Sequence, residues 1–135
     1  MNETDASLYL FANIEGGHTF WSNQVSELGP VPVYERLLSG KYDRVKYEKL
    51  ITNLRATKLV EIKESIDRTG SIFLTPQSPD WPTSLNDLSA TPFGLVVKGD
   101  LSALAEKSLA IVGTRNPTTY GLSIAGDYAA GFVDR

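Results

Sequence analysis

The stretch Leu109-Ala110-Ile111-Val112-Gly113-Thr114-Arg115-Asn116-Pro117-Thr118-Thr119-Tyr120-Gly121 decides how the chain is read. Leu109 to Val112 is a short apolar run, rich in β-branched side chains, of the kind that forms a strand buried on both faces. After it, Tyr120, Ile124, Tyr128 and Phe132 recur at every fourth position, which predicts one apolar face of a helix. Beside them runs a row of small residues, Gly121, Ala125 and Ala129, that lets a helix axis approach a sheet closely. Strand, turn and helix in this order predict the opening of a Rossmann-like parallel-sheet unit.

In such sheets ligands bind beyond the carboxyl ends of the strands, so the turn from Gly113 is where a site belongs. Its residues suit an anion. Gly113 permits close backbone approach, and Thr114, Thr118 and Thr119 offer hydroxyls. The unpaired N–H groups of a helix start point the same way. Arg115 adds a planar, permanently charged fork that matches a phosphate. Asn116 as N-cap and Pro117 at the first helical position are expected to begin the helix. Neither GxGxxG nor a Gly-Lys-Ser/Thr ending is present, which disfavours the dinucleotide and triphosphate loops.

Working back from this stretch, Ile72 to Leu74 and Leu95 to Val97 read as two further strands of the same parallel sheet. Between them Thr75 to Pro92, with four prolines, is a long connection holding one helical turn near Ser84 to Leu88 and anchored by Trp81. Before Gly70 the period changes to that of helices. Thr19 to Leu28 is one helix, stopped by Gly29 and Pro30, and Val33 to Leu38 is another, closed at Gly40. Asp43 is expected to cap a longer helical run to about Thr69, broken near Ala56 to Lys58. Four or five short helices over residues 1–70, followed by a sheet domain over 71–135, make an α/β chain.

The composition narrows the classes. At 135 residues, 41% hydrophobic and without cysteine, the chain has the apolar content of a folded protein and no disulfide framework or thiolate metal site. Its apolar runs are far shorter than the roughly 20 residues that span a bilayer. Glu3 and Asp5 stand where a secretory signal carries positive charge, so the protein is expected in the cytoplasm. The net charge of −3 gives no broad positive field, and any nucleic-acid site must be local.

Several motifs in order resemble the DprA/Smf family of DNA-processing proteins: Thr75-Pro76, Asp80-Trp81-Pro82, Leu85 with Leu88, Pro92, Lys98-Gly99-Asp100-Leu101, Ala110-Ile111-Val112-Gly113-Thr114-Arg115, and Thr119-Tyr120-Gly121. The resemblance is close over residues 70–135 and looser over the helical half, which it likens to a sterile-alpha-motif-like domain. It implies a cytoplasmic protein, not an enzyme, that binds single-stranded DNA, protects incoming strands in natural transformation and loads the RecA recombinase. It also implies a homodimer of the full-length protein and no cofactor or metal. In the family a Gly-Ser/Thr-Arg turn holds DNA phosphates, and the matching positions are Gly113, Thr114 and Arg115. The family's sheet runs on past the point matching Arg135, so these residues are expected to be the amino-terminal portion of a longer protein. A Rossmann-like enzyme of the phosphoribohydrolase (lysine-decarboxylase-like) group is the alternative, and a protein-interaction role for the helical half is a third reading.

Other candidates have plainer readings. Lys41 to Arg68 holds eight basic residues against five acidic ones and reads as the solvated face of amphipathic helices, with Glu64 and Arg68 paired. His18 stands in a Gly-Gly-His turn without neighbouring metal-ligating residues. Phe20 and Trp21 read as core, and Tyr120, which could stack on a base, reads as part of the packed stripe. No nucleophile, base and orienting acid can be assembled.

Overall fold

The computed structural model describes residues 1–133; Asp134 and Arg135, the end of the expected sheet domain, lie outside the described residues. The chain divides into two compact units, Met1–Ala105 and Glu106–Arg135. The change of sequence pattern at Gly70 falls inside the first.

The first unit begins with five helices: α1 (Glu3–Asn13), α2 (Thr19–Leu28), α3 (Pro30–Ser39), α4 (Glu48–Ala56) and α5 (Leu59–Arg68). Asn2 starts α1 by accepting the Asp5 N–H at 2.7 Å. Helix α3 begins at Pro30, three residues before the expected Val33, because proline in a first turn forfeits no helical bond. It ends at Gly40, whose φ of 75° needs the left-handed region that glycine reaches without a Cβ clash. Asp43 does cap, but it caps only a turn. Its carboxylate accepts the N–H groups of Val45 and Lys46 at 2.9 and 3.0 Å, and regular helix waits until Glu48. The expected break falls at Thr57 and Lys58. There the Thr57 hydroxyl, hydrogen-bonded to the Asn13 amide, ties the end of α4 to the end of α1.

These helices enclose Leu10, Ile14, Trp21, Val33, Leu37, Ile51 and Leu54. Trp21 is core as expected; Phe20 is not, being 43% exposed, because the helical phase that buries one of two adjacent rings turns the other outward. The expected Glu64–Arg68 pair is not among the ion pairs of the described residues. Lys58 pairs with Glu61 instead, and Lys63 reaches Asp5 on α1.

After Gly70 come two strands, β1 (Ser71–Leu74) and β2 (Leu95–Lys98), at the places the sequence predicts. Their arrangement corrects the parallel-sheet expectation: they pair antiparallel, Ser71 opposite Lys98 and Leu74 opposite Leu95. A parallel pair needs a crossover, usually a full helix. Residues 75–94 supply only a 3-10 turn, Thr83–Asp87, and the chain returns alongside itself. Nor is the ribbon covered on both faces, since Ile72 and Val96 stand 43% and 44% exposed. The connection is anchored by Trp81, buried, with its indole N–H donated to the Asn86 side chain at 3.1 Å. It then delivers Phe93 into the helical core.

Candidate functional site

The second unit holds the turn singled out by the sequence. Its helix, α6 (Thr119–Val133), forms where the four-residue apolar period predicts it. The expected strand Leu109 to Val112 does not form: residues 107–114 are neither helix nor strand, and Leu109, Ile111 and Val112 are exposed. A strand buried on both faces requires a hydrogen-bonding neighbour on each side, and the described residues of this unit contain no strand. The run lies instead beside the C-terminal half of α6. There Lys107, Ser108, Leu109 and Ile111 face Ala129, Phe132 and Val133 across a cavity of about 540 Å³. The stripe of Tyr120, Tyr128 and Phe132 is correspondingly uncovered, and the expected packing of Tyr120 is replaced by 75% exposure.

The turn itself is open, with Gly113, Thr114, Arg115, Thr118 and Thr119 all exposed. The chain bends at Arg115 and Asn116. Helix α6 starts two residues later than expected, with Thr118 rather than Asn116 at its head. The Thr118 hydroxyl accepts the Gly121 N–H at 3.1 Å, and its carbonyl accepts the Leu122 N–H at 3.0 Å. Threonine is itself a favoured N-cap, though weaker than asparagine, and the Asn116 N–H is drawn back to the Thr114 hydroxyl at 3.3 Å. Thr114 and Thr118 thus spend their oxygens on shaping the turn. The N–H groups of Thr119 and Tyr120 keep no partner among the described residues. Arg115 has no carboxylate within ion-pair distance among the described residues. A bend that presents two helix-start N–H groups and a free guanidinium can receive one anionic oxygen group. Residues 106–135 carry three basic and three acidic side chains, so any attraction is local to Arg115.

Residues 72–135 match the family described as DNA recombination-mediator protein A. Two strains of Mycobacterium tuberculosis carry relatives named as a DNA processing protein, DprA, 28% identical to this chain over 121 residues. Over residues 72–135 the chain is similar to the DprA family. The similarity to the mycobacterial DprA proteins covers 80% of this chain and 31% of each of theirs, so the chain spans about a third of the length of those relatives. The segment matched by the DprA family model contains the strand ribbon except Ser71, the connection and the Arg115 turn, and of the helical half it contains nothing. No solved structure matches the chain. Among the described residues, no helix is long and apolar enough to cross a membrane.

Proposed function

We propose that this chain is part of a cytoplasmic mediator of DNA recombination that binds single-stranded DNA, protects incoming strands in natural transformation and hands them to a RecA-type recombinase. The single observation that carries this reading is the open Gly113–Thr119 bend inside the segment similar to the DprA family, with Arg115 and the helix-start N–H groups unpaired among the described residues. Such a bend takes a phosphate and reads no base, which suits a protein that must hold strands of any sequence. The role is one of binding, not of catalysis, and a homodimer of the longer protein would multiply the phosphate contacts that one turn supplies.

The test is fluorescence anisotropy with a labelled oligothymidylate, titrated with the chain and its Arg115→Ala variant at several salt concentrations. Loss of one phosphate contact lowers the slope of log K against log salt by about 0.7 and weakens binding alike for all sequences. An unchanged affinity and slope overturns the assignment of Arg115.

A further inference from the structure

The first unit carries a concentration of positive charge that the Arg115 turn does not explain. Residues 41–55 hold five cations, Lys41, Arg44, Lys46, Lys49 and Arg55, against Asp43 and Glu48. The remainder of the chain holds eight basic residues against fourteen acidic ones. All five cations are exposed, and neither ion pair among the described residues uses one of them. Asp43 is engaged by the backbone N–H groups of Val45 and Lys46. Glu48 lies with Arg44 and Arg55 around a cavity of about 360 Å³. Arg55 also serves the fold, donating to the Leu38 carbonyl at the end of α3 at 3.3 Å. Lys41, Lys46 and Lys49 have no such duty.

The same segment is laced with aromatic rings. Tyr42 and Tyr47 stand each beside one of these lysines in sequence, and the Lys46 ammonium lies 5.2 Å from the centre of the Tyr47 ring. Phe20 is parallel to Tyr47 within 13°, at 6.3 Å between centres. Both rest edge-on against buried Trp21, at 4.8 and 4.9 Å. Tyr42 is held by its hydroxyl, which donates to Gln24 at 2.8 Å. Phe20 remains 43% exposed, and His18, 6.5 Å from it, is exposed as well. A packed set of rings with one open edge, the Lys46 ammonium beside it and further exposed cations in the same segment, is the combination that binds unpaired nucleotides: bases stack on the rings and phosphates sit on the cations.

We infer that the His18–Phe20–Tyr47 face and Lys46 beside it, with Lys41 and Lys49 of the same basic segment, form a second binding surface for single-stranded nucleic acid, on the helical unit and independent of the Arg115 turn. It takes unpaired DNA or RNA, since stacking and phosphate contact are common to both. A duplex hides its base faces and binds this surface less well.

Anisotropy titrations of the full chain with labelled oligothymidylate, oligouridylate and a duplex of equal length test this. The Lys46→Gln/Lys49→Gln variant is expected to weaken single-strand binding at least fivefold at low salt and to lower the salt slope by about 1.4. Phe20→Leu, which keeps apolar bulk but removes the ring, is expected to weaken binding roughly fivefold with the slope unchanged. Circular dichroism melts matched to the parent establish that each variant is folded. Binding of either single strand with these losses supports the surface. Parent-like binding by the folded lysine variant overturns it, as does duplex binding as tight as single-strand binding. Arg115→Ala in the same series separates the two sites, because loss confined to that variant removes this inference and leaves the Arg115 reading intact.

Discussion

Gly94 shows how much a single position can constrain. A Cβ placed there would lie 2.2 Å from the Phe73 ring and 2.7 Å from the Leu74 carbonyl oxygen, so the ribbon closes only because residue 94 has no side chain. Gly94→Ala is expected to destabilise the protein by about 1–3 kcal/mol, the usual range for forcing a methyl group into filled space; urea unfolding measures it, and a parent-like midpoint would show that Phe73 yields freely. At Tyr42, and likewise Tyr34, burial raises the phenol pKa above its ordinary value of 10.0. The folded state therefore holds these protons more tightly than the unfolded chain. Their contribution is complete below pH 10 and is lost as the pH climbs through the raised values. The melting temperature is expected to decline above pH 10, and more shallowly in Tyr34→Phe/Tyr42→Phe. At this scale the sequence speaks unevenly. Trp21 and Phe20 look alike as a pair, and only the phase of α2 against its neighbours decides which is buried.

Elements were most legible where their ends are chemically marked. Gly29 and Gly40 punctuate α2 and α3 as read, and both strands lie within a residue of their expected limits. The pairing of those strands was not legible, because direction is set by the path of residues 75–94 and not by side-chain pattern. The apolar run 109–112 failed for a related reason. β-branched composition supplies strand preference, while a strand exists only with a partner. Amide hydrogen exchange should show this, with residues 109–112 exchanging near unprotected rates while α1 and α3 are strongly protected. Slow exchange at 109–112 would reveal a pairing partner. For α3, Gly40 has a positive φ of 75°, and the side chain nearest a Cβ placed there is the exposed, flexible Arg44, so the strain is in the backbone. Gly40→Ala is expected to cost about 1 kcal/mol or more, read from thermal unfolding.

Over the whole molecule, every buried hydrophobic among the described residues lies between Ala6 and Phe93. A chain ending at Ala105 is expected to melt within about 2 °C of the parent. A chain ending at Gly70 is expected to melt far lower or not cooperatively. It lacks Phe93, whose removal from a core typically costs about 3–5 kcal/mol, and it leaves the Ser22 hydroxyl without the Thr91 carbonyl it binds at 2.9 Å. Parent-like unfolding of the shorter chain would show that the helices are self-sufficient. The site was legible to a different degree from the fold: Gly113, Thr114 and Arg115 lie in one exposed stretch before α6, their phosphate role resting on the Arg115→Ala titration, whereas the lysine and aromatic face emerges only when α2 and the 41–47 segment are brought together.

The return of Phe93 to the helices also orders events during synthesis. Domains commonly fold as they leave the ribosome, amino-terminal part first. Here the helical bundle is made early yet cannot seal until Thr91 and Phe93 emerge, 69 or more residues after Ser22. Until then the nascent chain carries an unfinished apolar face, and the Ser22–Thr91 contact is the latch that ends this period of exposure.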